Sequence, residues 1–252
     1  MTTLALEIAV QDAAGARIAA EFGADRIEAC GALGLTGGLT PSAAALEQML
    51  GVDIGAHALI RPRSGGFVYS PEEVDLMERE VDLCVRAGVA GVVIGALNRD
   101  KTVDEAATGR LVARARQTAA ELGVERDVTF HRALDVTPDP VAALRTLAAL
   151  GVDRVLTSGG AARSIDGLEV LRTMCAAGTG VQVMAGGGVR VSDVPALAAA
   201  GVSAVHLSGK ALVADPGPVG PGGGAPGELE VTSAQIVAQA YQQVQSVNAI
   251  HH

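Results

Sequence analysis

The sequence predicts an α/β protein, a single-domain (β/α)8 TIM barrel. Three observations carry that expectation. Eight β-rich runs alternate with Ala-rich amphipathic stretches from one end of the chain to the other. A helix–glycine–strand unit recurs in EFGADRIEA, RAGVAGVVIG, ALGVDRVLTSG and AAGVSAVHLSG. The chain has 252 residues, and such a barrel typically needs about 250. An open doubly wound sheet is the alternative that the same alternation allows.

The strands are expected at LALEIAV (4–10), RIEAC (26–30), IGAHALIRP (54–62) and GVVIGAL (91–97), followed by VTFHRAL (128–134), RVLTSG (154–159), VQVMAGGGV (181–189) and AVHLSG (204–209). Between them the helical pattern is clearest in SPEEVDLMEREVDLCVRAG. There Val74, Met77, Val81, Cys84 and Val85 share one face, Ser70 is the cap, and Pro71 opens the helix ahead of an acidic first turn. Gly23, Gly88, Gly151 and Gly201 stand where helices end in a left-handed residue. One segment breaks the rhythm. DPGPVGPGGGAPG (215–227) holds four Pro and six Gly, which reads as a mobile loop ahead of a terminal helix, TSAQIVAQAYQQVQ. The domain is expected to span 1–250.

Composition narrows the function classes. The formal charge of -9 argues against nucleic acid or an anionic membrane as partner. No apolar run approaches ~20 residues, and the N-terminus lacks a basic leader, so the reading is a soluble, cytoplasmic protein. With no Trp, three Phe and two Tyr, small aliphatic residues must fill the core. Cys30, Cys84 and Cys175 are odd in number and carry no CxxC spacing, which speaks against a disulfide framework or a zinc ribbon.

Alternation along the strands sorts helix-facing from barrel-facing residues. Ile8, Ile27, Ala58, Phe130 and Val205 belong to the apolar, helix-facing set. The opposite parity aims Glu7, Glu28, Cys30, His57, Arg61, His131, His206 and Ser208 inward, joined by Gln182 and Met184. Carboxylates and imidazoles inside a barrel are expensive unless paired or used. Barrel active sites gather at the C-terminal strand ends, so Glu7, Glu28, His57, His131, Asp135 and His206 are the candidate acid–base groups. Each taken singly reads equally well as a hydrogen-bonded core residue. Arg61 and Arg132, with Ser158, suit an anionic substrate group. Gly186, Gly187 and Gly188 of AGGGVR and Ser208 of HLSGKAL lie where loops 7 and 8, with a short helix N-terminus, cradle phosphate in many barrels. Lys210 reads as an assistant there or as a solvated charge. For a soft metal only Cys30 and Met184 have inward parity, a thin inventory for Cu(I).

The motifs ALEIAVQD, GADRIEACGALGLTGGLTPS, IRPRSGGFVYS, VTFHRALD, RVLTSGG and VMAGGGVR resemble, in order from residue 4 to about 209, the CutC family, named for copper homeostasis. The resemblance implies a cytoplasmic (β/α)8 barrel, often a homo-oligomer, associated with copper tolerance and Cu(I) binding through cysteines. Measured against that pattern, the chain has Ala9 and Val10 where many members carry paired Cys, and Val68 where the family's DFCYS has Cys. Cys30 is the one thiol carried over, with Met184 or a His assisting. Two functions therefore stand side by side: copper homeostasis with bound Cu(I), and acid–base chemistry on a small anionic, phosphorylated or sugar-like substrate.

Overall fold

Parallel pairing in strict sequence order builds the molecule. The computed structural model describes residues 3–215, 217–218 and 227–250. Strands β1 (Ala5–Val10), β2 (Arg26–Ala29), β3 (Gly55–Leu59), β4 (Gly91–Ile94), β5 (Asp127–Phe130), β6 (Arg154–Thr157), β7 (Gln182–Gly186) and β8 (Ala204–Leu207) each pair with the next. β8 pairs back onto β1, with Glu7 opposite His206. That last pairing closes the barrel and excludes the open sheet.

Helices α1 (Ala13–Glu21), α2 (Leu33–Thr36), α3 (Ala43–Leu50), α4 (Pro71–Ala87), α5 (Glu105–Glu121), α6 (Pro140–Ala149), α7 (Leu168–Ala176), α8 (Val194–Ala199) and α9 (Ala234–Ile250) accompany the strands. The cap on α4 forms as its sequence demands: the Ser70 hydroxyl accepts from Glu73 N–H, and the Glu73 carboxylate accepts from Ser70 N–H. Its buried residues are Val74, Met77, Val81, Cys84 and Val85. Leu6, Ile8, Ile27, Ile60, Ile94, Phe130 and Val205 lie fully buried between sheet and helices. Each such side chain stabilises the fold by about 1.5–3 kcal/mol through loss of contact with water. The terminal helix also fastens the barrel's beginning: the Asn248 carboxamide accepts from Leu4 N–H at 2.8 Å and donates to Leu4 C=O at 3.1 Å.

Two features differ from the sequence reading. The strands end earlier than the apolar runs do. After Phe130 the backbone turns into a 3-10 helix over Arg132–Val136, because the His131 ring accepts the N–H of Ala133 at 3.1 Å and draws it out of the ladder. Among the described residues beyond β8 no short helix follows to cradle a phosphate. Lys210–Ala214 (β9) instead pairs antiparallel with Glu228–Thr232 (β10), a two-stranded ribbon in which Lys210 is bonded to Glu230 at 2.8 Å. The Gly/Pro-rich loop expected over 215–227 lies between these strands and largely outside the described residues, at 216 and 219–226.

Candidate functional site at the barrel mouth

The inward parity of each strand builds a polar column through the barrel. At its floor Arg154, on β6, donates to Gln182 at 3.0 Å, to Asp127 at 3.1 Å and to Thr129 at 3.3 Å. His57, on β3, is buried there with its Nε2 3.9 Å from Asp127. Burial pushes its pKa down to about 4, helped by the charges of Arg26 and Arg154 and opposed by Glu7 and Asp127. His57 is therefore a neutral residue of the floor. Arg26 and Arg154 are the interior residues that the sequence reading passed over. Arg26 shares the parity of Glu28 and Cys30, and that alternation was the available signal.

One layer higher, Glu7 is the hub. It accepts from Arg26 Nε at 2.6 Å and from His206 Nδ1 at 2.7 Å. Burial works to raise its pKa, yet the His206 bond and the charges of Arg26 and His206 hold it well below the usual carboxylate range. Burial likewise opposes charge on His206, but the Glu7 bond and the carboxylates of Glu28 and Glu7 raise its pKa. The pair is an imidazolium held on a carboxylate. Neither Glu7 nor His57 reaches the mouth.

The mouth itself is a cavity of about 240 Å³ lined by Glu28, Arg61, His131, Arg132, His206 and Ser208, the backbone of Gly187 and Gly188, and the apolar Leu33, Leu59, Phe67 and Leu156. Glu28 sits with its Oε2 3.9 Å from His206 Nε2 and 3.4 Å from the Cys30 thiol. Burial raises its pKa, the Glu7 charge adds to the rise, and His206 and the thiol restrain it. His131 is the contrasting group. Burial and the nearby Arg61 charge depress its pKa to about 3. With Nδ1 accepting from Ala133, the neutral ring carries its proton on Nε2, an atom that is buried without a partner. One cavity is thus lined by a carboxyl that keeps its proton more readily than usual and by an imidazole that stays neutral.

The expected anion contacts divide. Arg132 lines the mouth with Nε on Asp135 at 2.8 Å and Nη2 on Ser158 at 3.4 Å. It lies across the bare backbone of Gly187, where a Cβ would come 2.8 Å from its Cζ. Asp135 also accepts from Thr157 Oγ1 at 2.5 Å and from the N–H groups of Ser158 and Gly160 at 2.9 and 3.3 Å. With four donors, Asp135 holds Arg132 and the end of β6 in place and has little capacity left for a substrate. Ser158 is buried and gives its hydroxyl proton to Ala161 C=O at 2.6 Å. Arg61 spends both terminal nitrogens on the C=O groups of Thr36, Gly38 and Gly65, at 2.8, 2.8 and 3.0 Å, leaving only Nε without a partner. Gly186 is glycine for packing, since a Cβ there would meet Leu156 Cδ1 at 2.2 Å.

The two sulfur candidates do not meet as a soft-metal site. Cys30 packs with Leu59 and Val93, whereas Met184 packs with Leu156 and Ala204. The Met184 thioether accepts from the cationic Arg26 at 3.1 Å. Burial first, then the Glu28 charge, push the Cys30 thiol well above its ordinary range, so it holds its proton. Among the described residues no group of three or more His, Cys, Asp or Glu is arranged to hold a metal ion. These donors do not fit Cu(I), which binds thiolate and thioether.

The family model described as CutC family matches residues 4–211. The chain belongs to the CutC family. A CutC family protein of Xanthomonas campestris pv. campestris is 41% identical over 214 residues, 84% of this chain and 85% of that one. Another, from Chromobacterium violaceum, is 43% identical over 212 residues, 83% and 82% of the two chains. Among solved structures, a copper homeostasis protein CutC from Streptococcus agalactiae superposes with a TM-score of 0.70 at 24% identity, covering 81% of this chain and 98% of that one. Thiamine phosphate pyrophosphorylase from Pyrococcus furiosus shares the barrel at a TM-score of 0.59 and 15% identity, over 98% of both chains. At such identities the two structures speak to the fold alone. The CutC match ends at β9, so the ribbon strand β10 and helix α9 lie beyond it.

Proposed function

We propose that this CutC-family chain binds a small anionic molecule, phosphorylated or sugar-like, in the barrel mouth and moves a proton on it. One observation carries the reading: Glu28 and the neutral His131 line a single cavity from strands β2 and β5, with the Arg132 guanidinium at its rim. Two titratable groups whose surroundings shift their pKa values in opposite directions suit acid–base work. Arg132, aimed by Asp135, takes the anion, and Ser208 with the Gly187–Gly188 backbone completes its cradle. Glu28 accepts or delivers the proton. His131 donates from Nε2 to a substrate oxygen.

The test is a thermal-shift titration with inorganic phosphate and small carboxylates. A ligand at a hundred times its Kd stabilises the native state by about 2.7 kcal/mol. The expected result is a rise in Tm that disappears in Arg132→Met, and no rise with any of these anions overturns the reading.

Copper homeostasis, the role printed for the Streptococcus agalactiae relative, comes to this chain through family membership. Cu(I) on Cys30 is the finer form of that role, and it requires the thiol to lose a proton that burial and the neighbouring Glu28 carboxylate hold in place. Anaerobic competition against a chelator of moderate strength decides it: binding must be measurable and must drop in Cys30→Ser. The protein is also proposed to be a cytoplasmic homo-oligomer. No described helix is long and apolar enough to cross a membrane, and light scattering on the eluting protein gives the assembly size.

A further inference from the structure

Two buried hydrogen-bond donors have no partner among the described residues and belong to side chains at the mouth: His131 Nε2 and Arg61 Nε. Both belong to residues lining the 240 Å³ cavity. Buried donors left unpaired cost free energy, and native proteins retain few of them without a use. The ring and the guanidinium are held together by Phe67, whose centroid lies 4.9 Å from that of His131 and 5.4 Å from Arg61 Cζ. Arg61 cannot turn away, because three backbone carbonyls fix its far end. His131 and Arg61 thus each bring to the wall of the cavity an N–H group without a partner among the described residues. Also lining the cavity, Glu28 supplies a carboxylate that lies 3.4 Å from the Cys30 thiol and 3.9 Å from His206 Nε2.

Resting on the small-anion reading above, we propose that the site enolises a small phosphorylated or carboxylated carbonyl compound, with His131 and Arg61 holding the carbonyl oxygen and Glu28 removing the neighbouring proton. In that step the C–H bond α to the carbonyl breaks and its proton passes to a Glu28 carboxylate oxygen. The freed electron pair becomes the C=C bond, and the carbonyl π pair moves to the oxygen. His131 and Arg61 donate to that oxygen as its charge grows, which is where preorganised donors are worth most. Reversal returns the proton, so no oxidant, metal or second substrate is consumed. A neutral imidazole is the right donor here, since it stabilises the oxygen without surrendering a proton to bulk water.

The experiment follows exchange of the α-protons of dihydroxyacetone phosphate and of pyruvate in heavy water by proton NMR, with saturation-transfer difference on the same samples reporting binding. General acid–base catalysis sets the expected size, exchange about 100-fold or more above protein-free buffer. Glu28→Gln is expected to bind the probe yet exchange at the buffer rate, Glu28→Asp to keep part of the rate, and His131→Gln to slow it about tenfold or more. A probe that binds wild-type protein and exchanges no faster than in buffer overturns enolisation and leaves the anion site standing. Exchange that persists in Glu28→Gln overturns the assigned base. Failure of both probes to bind removes the anion site and this proposal together. The wild-type rate decides the matter even where a variant does not fold.

Discussion

Glu7 and His206 are joined by a 2.7 Å hydrogen bond beneath the barrel mouth, and Arg26 closes on the same carboxylate at 2.6 Å. The three residues belong to β1, β8 and β2, so this ion cluster bridges the strand pairing that closes the barrel. It also fixes the ring whose Nε2 faces Glu28 at 3.9 Å. Glu7 is thus a positioning residue for the mouth rather than part of its lining.

Glu7→Gln leaves two cations facing an uncharged amide. Breaking a buried pair by removing one partner costs about 3–5 kcal/mol. Urea denaturation should give a loss of that size, with an unchanged m value if the native barrel is retained. A loss under about 1 kcal/mol would mean that water reaches the cluster and screens it.

The buried histidines set opposite responses to pH. His57 and His131, each with an ordinary pKa of 6.5, fall in the folded protein to about 4 and about 3. Their folded state resists protonation, so their stabilising neutrality is complete above pH 6.5 and is lost as pH falls toward those folded values. His206 is raised, so its contribution is present below 6.5 and is lost as pH climbs through its folded value. Glu7 is depressed, and its contribution is present above its ordinary 4.5 and disappears as pH falls through its folded value. Glu28 is raised and partly offsets the acid loss, because it takes up a proton more readily when folded. Between pH 6.5 and 4 the stability of His57→Asn should fall less steeply than wild type, by about one proton or ~1.4 kcal/mol per pH unit. Equal slopes in urea melts across that window would show that His57 is charged in the native protein.

The barrel was legible because strict alternation separates the Ile8, Ile27 and Phe130 side from the Glu7, Glu28 and His131 side. The same rule assembled most of the mouth, since Glu28, His131 and His206 reach it from three different strands. Depth was not legible. Parity says that Glu7 and His57 point inward, but only the stagger of the strands puts them below the cavity while Glu28 and His131 line it. Nor could residue type show that Arg61 spends itself on loop carbonyls, because those partners come from Thr36, Gly38 and Gly65, remote in sequence or across a turn. The β9–β10 ribbon escaped because its two strands are separated by the Gly/Pro-rich segment. KALVA alone is too short to distinguish a strand from a loop.

Gly95 tests how tightly the mouth is built. A Cβ at this position would stand 2.3 Å from His131 Cε1 and 2.4 Å from Nδ1. Gly95→Ala must therefore displace the ring that caps the 3-10 turn. Overpacking of this kind costs about 1–3 kcal/mol, and the His131 imidazole resonances should shift in the same variant. Wild-type stability together with unmoved resonances would show that the ring has room that the packing denies.

Thiol chemistry separates the two roles open to Cys30. Its side chain is 1% exposed, and burial beside Glu28 keeps the proton on sulfur. Cys84 is buried in the core and pushed up to about 12, whereas Cys175 is only partly buried and lies at about 11. Thiolate, not thiol, attacks a disulfide reagent. In native protein at mildly alkaline pH, slow labelling is expected at Cys175 first, with Cys30 and Cys84 reacting only once the protein unfolds. Rapid labelling of Cys30 ahead of Cys175 would show an accessible thiolate in the mouth. That result would move Cys30 from a hydrogen-bond donor holding Glu28 to a ready ligand for Cu(I).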